Sequence, residues 1–392
     1  MPTDRPAAEL ARRWQQKLHR ELLAAVELRH EVHAWPERSG QEARTARRIA
    51  GVIDAPVDLP VAGTGRLLRL GPPGPAVALR AELDALPGQE VGERPWRSQV
   101  DGTVHACGHD IHLAALSALA RAARELPLPY GLVLLLQPRE ELSPSGARDI
   151  VTSGVLAEQD VRAVLGAHVQ PRVAAGAVAA DPGVVNAGVD EFTLTMTGLG
   201  GHSAYPHLAR DPVAALCRAV DMLAGLVPAV VDPMTPAVLA VTMLSAGTAP
   251  NMIPGSAVAQ GTLRTFEPAD RLRVHERARA VVSGAAAAYG CVGDLDVTLG
   301  EPRVDNDAAL TSAVRHRLAA DAVPLAAQFR SCGSDDFAEY GTAAPSLMMF
   351  VGADGGADRM LHHPGFVPPD ETVGLVARSL LAGYLGATDL LG

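Results

Sequence analysis

The run Gly131-Leu-Val-Leu-Leu-Leu136 is short, apolar throughout and followed directly by Gln137-Pro-Arg-Glu-Glu141. A continuous apolar run of this length, bounded by turn residues, indicates a strand that is buried on both faces, as in a parallel sheet. Further short apolar runs at residues 76–79, 161–165 and 347–351 alternate with helix-length segments such as residues 111–126. This alternation predicts an α/β fold with a largely parallel sheet.

A second type of pattern lies between residues 188 and 300. The segments 191–197 and 258–266 alternate apolar and polar residues in the manner of half-exposed strands. The chain has 392 residues, a length that exceeds the usual size of one domain. We therefore predict one domain formed by residues 1–187 and 301–392, and an inserted α+β domain formed by residues 188–300.

Composition and charge narrow the function classes. Hydrophobic residues make up 48% and charged residues 20%, which is typical of a soluble globular protein, and no apolar run approaches the roughly 20 residues of a membrane span. The first residues lack the pattern of a secretory signal, so we expect a cytoplasmic location. The formal net charge of −10 argues against binding to nucleic acid, which requires clustered cations. These features favour small-molecule chemistry.

A thiol and two imidazoles lie close together in His105-Ala-Cys-Gly-His-Asp110, in a chain with only 4 cysteines. Other polar side chains follow the predicted strands, and the carboxyl ends of such strands border the crevice of an open α/β sheet. Thiolate, imidazole and carboxylate together suit zinc or another first-row divalent ion. More candidate ligands are present than one tetrahedral site uses, which favours two metals that share a bridging ligand. On the residues alone, the candidates are Cys107 with the neighbouring His105 and His109, the carboxylates Glu82, Asp84, Glu140 and Glu141, and the histidines His168 and His362.

Ordered motifs along nearly the whole chain resemble one family. The sequence is similar to the metal-dependent amidohydrolases and metallopeptidases that include hippurate hydrolase, N-acyl-amino-acid amidohydrolase (aminoacylase) and plant indole-acetyl-amino-acid hydrolase, which are related to carboxypeptidase G. The motifs that carry the resemblance are Leu28-Arg-His-Glu-Val-His-Ala-Trp-Pro-Glu37, Arg80-Ala-Glu-Leu-Asp-Ala-Leu-Pro87, His105-Ala-Cys-Gly-His-Asp110, Gln137-Pro-Arg-Glu-Glu141, Gly166-Ala-His168, Gly200-Gly-His-Ser-Ala-Tyr-Pro-His207, Asn251-Met-Ile-Pro254, Gly333-Ser-Asp-Asp-Phe337 and Leu361-His-His-Pro364.

The resemblance implies a binuclear metal site and a general base. It implies two divalent ions (zinc, manganese, cobalt or nickel) with the Cys107 thiolate as the bridge. The ligands that it implies are Cys107, His109, Glu141, His168 and His362. Glu140 would be the general base, which takes a proton from the attacking water and delivers it to the leaving amine nitrogen. Asp84 would orient a ligand imidazole.

The resemblance also implies roles for the inserted domain, as a lid and dimerisation domain of a homodimer. A histidine at the position of His202 would stabilise the oxyanion, from its own subunit or from the partner subunit. Asn251, Arg264 and His207 would bind the substrate near its carboxylate, for which a guanidinium provides a bidentate partner. On local sequence alone, His202 follows two glycines and also fits a purely structural role in a hairpin turn.

Two positions depart from the family pattern. Glu82 stands where most of the family has aspartate, and the longer side chain changes the hydrogen bonding around the ligands. Asp335 stands in Gly-Ser-Asp-Asp, where Gly-Ser-Glu-Asp is usual, which bears on substrate specificity. We interpret His112 as a residue on the helix face after the site, and His105 and His363 as residues that orient their neighbours.

These features predict a cytoplasmic, dimeric, binuclear metal hydrolase. Its substrate would be a small N-acyl amino acid or dipeptide, and its products a carboxylic acid and an amino acid. One alternative is a non-catalytic relative that binds a small acyl-amino compound. Another is an enzyme with the same site that acts on carbamoyl or amidino nitrogen.

Overall fold

The structure is a computed structural model that describes residues 4–354 and 360–392. It divides into two compact units. The first unit comprises Met1–Val185, Asp305–Phe329 and Asp336–Gly392, and the second comprises Asn186–Val304 and Arg330–Asp335. Each unit has its own hydrophobic core.

Helices and strands are numbered along the chain. The α-helices are α1 (Asp4–Ala34), α2 (Ala43–Ile53), α3 (His109–Ala123), α4 (Gly146–Thr152), α5 (Val155–Glu158), α6 (Pro212–Ala224), α7 (Val227–Val230), α8 (Pro268–Ala288), α9 (Ala308–Ala320) and α10 (Glu371–Leu391). The strands are β1 (Val57–Val61), β2 (Gly65–Leu70), β3 (Ala76–Glu82), β4 (Leu86–Pro87), β5 (Thr103–Val104), β6 (Gly131–Gln137), β7 (Val161–Gln170), β8 (Val178–Ala179), β9 (Gly183–Asn186), β10 (Gly188–Thr197), β11 (Gly201–His202), β12 (Ala237–Ala246), β13 (Met252–Ile253), β14 (Ser256–Thr265), β15 (Val292–Leu299), β16 (Val304–Asn306) and β17 (Ser346–Gly352). Two 3-10 helices span Pro206–Leu208 and Asp336–Thr342.

The first unit is built on a sheet with the strand order β1-β2-β6-β3-β7-β17-β8. The four central strands, β6, β3, β7 and β17, are mutually parallel, which confirms the α/β fold with a largely parallel central sheet. At the edges, β1, β2 and β8 run antiparallel to their neighbours. These edge strands are the part of the sheet that the alternation of strands and helices did not indicate.

The complete burial of strand β6 explains why its sequence is a continuous apolar run. Every residue of Gly131–Gln137 is buried, because the sheet is covered on both faces and no residue of the strand meets water. Leu134 packs in the main core with none of its surface exposed. Replacing such a leucine with alanine costs about 2–5 kcal/mol of folding free energy.

Helices pack on the sheet and on one another. Helices α3 and α10 contact the central strands, and α1 packs against α3 and α10. Trp14 of α1 is fully buried, its Nε1 donates a hydrogen bond to the Leu119 carbonyl at 3.1 Å, and its ring meets Tyr384 edge to face. The long N-terminal helix is therefore an integral part of the core.

The second unit contains an antiparallel sheet with the order β12-β14-β10-β15. Helices α6 and α8 pack on this sheet, and their apolar residues form the second core. Strands β11 and β13 form a separate two-stranded pair. This unit is the α+β part of the fold. Among the described residues of the whole chain, no helix combines the length and the apolar character that crossing a membrane requires.

Candidate metal centre

The predicted ligands meet where the central strands of the first unit end. Glu82 and Gln137 are the last residues of β3 and β6 and lie side by side in the parallel register. Asp84 and the Glu140–Glu141 pair therefore leave the sheet at the same edge. Strand β7 is longer than the sequence indicated, since it continues to Gln170. His168 consequently projects from within a strand rather than after one, which gives it a rigid backbone.

Two imidazoles present the same nitrogen to the centre. His109 Nδ1 lies 2.8 Å from the backbone oxygen of Asp84, and His168 Nδ1 lies 2.7 Å from the backbone oxygen of Val169. A carbonyl oxygen can only accept, so Nδ1 is the donor in both rings. In the neutral rings Nε2 then carries the lone pair, which is the atom that binds a metal.

Cys107 is shared by two groups of possible ligands. Its Sγ lies 3.4 Å from His168 Nε2. One group contains Cys107, His109 and His168, and the other contains Cys107, Glu141 and His362, with all ligand atoms of each group within 4.8 Å of one another. The structure thus brings together all five residues that the sequence suggested as ligands. A thiol common to both groups has the placement that a bridging ligand requires.

His362 reaches the centre from a loop. Its backbone has φ of 68°, in the left-handed region that few residues other than glycine adopt. The His362 backbone N–H donates to the Ala106 oxygen at 2.8 Å, which ties this loop to the cysteine motif. His362 Nε2 lies 3.3 Å from Glu141 Oε1, and 55% of the side chain is exposed. The most exposed of the five candidates is therefore held through its backbone.

The two adjacent glutamates share one neighbour and differ in others. Glu140 Oε2 lies 3.7 Å from His109 Nε2, and both glutamates form a group of possible ligands with His109. Glu141 also belongs to the group with Cys107 and His362. The preceding residue, Arg139, has φ of 52°, and its backbone N–H donates to Glu42 Oε1 at 2.9 Å. This turn lets the chain present two consecutive carboxylates to the centre, of which Glu141 also belongs to a group with Cys107.

The electrostatics of the centre favour a cation. Burial raises the pKa of the Cys107 thiol well above its usual value, and the nearby Glu141 and Glu140 add to the effect. Burial opposes protonation of His109, but Glu82, Asp84 and Glu141 together raise its pKa. His109 Nε2 and Glu141 Oε1 are buried and make no hydrogen bond, although Glu141 Oε1 lies 3.3 Å from His362 Nε2. Buried lone-pair atoms that make no hydrogen bond and lie among carboxylates are suited to binding a cation. Together with a thiol and imidazoles, they suit divalent metal ions of the first transition row.

In the second unit, His202 and Asn251 lie on neighbouring chain segments. His202 on β11 pairs with Met252 on β13, and the backbone N–H of Ser203 donates to the Asn251 oxygen at 3.1 Å. The Ala204 backbone N–H donates to His202 Nδ1 at 3.1 Å. In the neutral ring the proton therefore sits on Nε2, and the exposed His202 offers a hydrogen-bond donor.

The other two predicted substrate residues have their own surroundings. His207 is exposed on the first 3-10 helix, and its ring lies 6.5 Å from that of Tyr205. Arg264 lies on β14, where Nη1 donates to the Cys332 oxygen at 3.1 Å and lies 3.4 Å from Ser334 Oγ. Arg264 thus connects β14 with residues 330–335 inside the second unit. Since these contacts use Nη1, binding of a substrate carboxylate by Arg264 would use Nε and Nη2.

Two residues near the ligands were not assigned to the centre from the sequence. Ser39 Oγ donates to Asp84 Oδ2 at 2.7 Å, and a serine in a turn gives no local signal of such a contact. The His112 ring lies 4.7 Å from the His168 ring, so it belongs to the centre rather than to a helix face beyond it. Its position on the first turn of α3, on the same side as His109, was the available signal.

The parallel sheet and the cluster of thiol, imidazole and carboxylate groups at its edge are typical of a metal-dependent enzyme. Residues 78–381 match the profile of Peptidase family M20/M25/M40, and the chain belongs to this family. It is a metal-dependent hydrolase.

Three relatives illustrate the similarity. The N-acetylcysteine deacetylase of Bacillus subtilis (strain 168) is 33% identical over 356 residues, which cover 89% of this chain and 92% of the relative. The N-acetyldiaminopimelate deacetylase of Geobacillus sp. (strain WCH70) is 30% identical over 355 residues, with 89% and 94% covered. The crystal structure of a dinuclear metal-binding peptidase of the M20 family from Bacillus subtilis aligns with a TM-score of 0.82 and 30% identity, over 95% of this chain and 99% of that one.

Proposed function

We propose that this chain hydrolyses the amide bond of an N-acyl amino acid or small dipeptide with two divalent metal ions, and releases a carboxylic acid and an amino acid. The observation that carries the proposal is the sharing of Cys107 by two ligand groups, with the Glu140 carboxylate 3.7 Å from one of the ligands, His109. A pure binding protein has no use for a carboxylate in that place.

Glu140 is the proposed general base. Its side chain is largely buried, with 11% exposed, so it borders the centre and still has access to a substrate. It takes a proton from the water that attacks the amide carbonyl and then passes the proton to the leaving nitrogen. When bound by the five proposed ligands, divalent ions would supply Lewis acidity to this reaction. Glu141, one position along, is the proposed metal ligand, since it belongs to the group with Cys107 and His362.

His202 is the proposed donor to the oxyanion. The hydrogen bond from Ala204 to its Nδ1 leaves Nε2–H to donate, and a pre-placed donor stabilises the charge that develops on the carbonyl oxygen. His202 would act in its own subunit or across a homodimer. Asn251, His207 and Arg264 are the proposed residues for the substrate carboxylate.

The relatives support the substrate class. The names of two of them describe removal of an acetyl group from the nitrogen of an amino acid. Such substrates combine a linear amide with a free carboxylate, the two groups that the proposed base and the proposed polar residues would engage. The acyl group and the amino acid depend on the shape of the pocket, since one methylene changes discrimination by only about 1–3 kcal/mol.

A substrate panel tests the proposal directly. Purified protein loaded with manganese or zinc is incubated with N-acetyl, N-benzoyl and indole-acetyl amino acids, simple dipeptides and N-carbamoyl amino acids, with and without a chelator. Chelator-sensitive release of amine from the acyl compounds is the expected result. Release from the carbamoyl compounds alone would favour the alternative nitrogen chemistry. Binding without turnover, with metal present, would favour the non-catalytic alternative.

A further inference from the structure

We propose that Glu82 and His112 position the candidate ligand His168 through the backbone of Val169. This inference rests on the proposed function, because it assigns a role within the same metal centre. The side chains of Glu82, His112 and His168 are all buried, with 2%, 1% and 6% of the residue surface exposed.

The hydrogen bonds form a directed series. Glu82 Oε2 lies 2.9 Å from His112 Nδ1, and the Val169 backbone N–H donates to His112 Nε2 at 3.0 Å. Because Nε2 accepts a hydrogen bond, the neutral His112 ring carries its proton on Nδ1. Nδ1–H then donates a hydrogen bond to the Glu82 carboxylate. The Val169 carbonyl then accepts from His168 Nδ1 at 2.7 Å. This last bond directs His168 Nε2 toward Cys107.

The sheet leaves room for this arrangement. The pairing of β3 with β7 ends at Arg80 and Gly166, before β7 reaches Val169. On that side His112 supplies the acceptor for the Val169 N–H, in place of a neighbouring strand. A buried N–H without an acceptor destabilises the fold, so His112 also stabilises the end of β7 that carries His168.

The length of Glu82 matters at the other end of the series. Its carboxylate also pairs with Arg80, which lies 2.8 Å from Asp336. This buried network fixes the carboxylate in the position that His112 Nδ1 requires. Aspartate at position 82, one methylene shorter, would not reach His112 from the same backbone. We therefore regard Glu82 as a positioning residue, whose side-chain length is needed to hold His112.

The test uses variants that keep or remove the acceptor for Val169. His112→Gln retains an amide oxygen near the position of Nε2, whereas His112→Leu removes it. Metal affinity is measured by competition with a chromophoric chelator. We expect His112→Leu to weaken binding by about 10–100-fold, as is typical when a group that orients a metal ligand is lost, with a smaller loss for His112→Gln. Glu82→Asp should also weaken binding.

A matched control separates positioning from general stability. Tyr384→Phe removes a buried hydrogen bond of 2.7 Å to the Tyr130 oxygen, which lies beside the opposite end of β6. It should lower the melting temperature without changing metal affinity. If His112→Leu and Glu82→Asp behaved like this control, the proposed positioning role would be wrong.

The histidine tautomer provides a second measurement that needs no variant to fold. In metal-free protein labelled with 15N-histidine, long-range proton–nitrogen spectra should show His112 protonated on Nδ1; protonation on Nε2 would overturn the proposal. If the wild-type protein bound no divalent metal, the proposed function would fail, and this spectrum would still decide the hydrogen-bond series. If the wild-type protein bound metal and was active while His112→Leu bound metal equally well, only the positioning role would fail.

Discussion

Asp84 Oδ2 accepts a hydrogen bond of 3.0 Å from the backbone N–H of Glu141, 57 residues further along the chain. The same oxygen accepts from Ser39 Oγ, and the backbone oxygen of Asp84 accepts from His109 Nδ1. Asp84 therefore holds one member of each ligand group. This buried residue connects the two groups without being in either of them.

Asp84→Ala should reduce metal affinity by about 10–100-fold, because the Glu141 backbone N–H loses its acceptor. His109 keeps its hydrogen bond to the backbone oxygen of residue 84 but loses the carboxylate oxygen 3.6 Å from its Nδ1. Ser39→Ala is the matched control, since it removes only one hydrogen bond to the same carboxylate, and its effect should be much smaller. Isothermal titration of metal-free protein measures both. Equal affinities for Asp84→Ala and the wild-type protein would contradict the orienting role.

Glu140→Gln should keep the metal content and lose activity, by about 100-fold to 10,000-fold in kcat, because the amide cannot accept the proton. Glu141→Gln tests the neighbouring position, where we expect a loss of bound metal as well. Metal analysis and amine release are measured on the same preparations. A Glu140→Gln protein with wild-type activity would show that another group is the base.

Cys107→Ala should lower the metal content at both ligand groups, because the two groups share this thiol. Cys217→Ala is the control, since Cys217 is an exposed free cysteine of the second unit. Metal content by mass spectrometry is the readout. Full occupancy of two ions with full activity in Cys107→Ala would contradict the bridging thiolate.

Metal binding should release protons and strengthen as the pH rises. Burial raises the pKa of the Cys107 thiol, so metal must displace its proton. Despite burial, Glu82, Asp84 and Glu141 raise the pKa of His109, so its imidazole also holds a proton to higher pH. Acid therefore competes with the metal. Calorimetry in buffers of different ionisation enthalpy counts the protons released, and affinity that is independent of pH between about 6 and 8 would contradict this expectation.

The proposed homodimer has a candidate surface on β12. This strand is at the edge of its sheet, and Met243 and Leu244 are 61% and 62% exposed. An exposed apolar edge strand tends to pair with another chain. The double variant Met243→Lys, Leu244→Lys should shift the protein to monomers in light scattering. Leu23→Lys, at an 81% exposed leucine of the first unit, should leave the assembly unchanged, and a wild-type monomer would contradict the proposal.

Buried parallel strands and ligand motifs were predictable because both produce local signals. The apolar run of β6 and the motif around Cys107 identify themselves within a few residues. The full length of β7 was not predictable, because Val169 and Gln170 look like any residues beyond a strand. The contacts of His112 and Ser39 were also missed, since each depends on a partner on a distant segment.

The sequence by itself determined the α/β class, the donor types and the strands that carry them, because apolar periodicity and residue chemistry are properties of short segments. Only the tertiary structure decided that Cys107 lies 3.4 Å from His168, 61 residues away, and that His362 approaches Glu141 through a backbone in the left-handed region. Such meetings depend on strand register and loop conformation. These are fixed by packing across the whole domain, which no local pattern records.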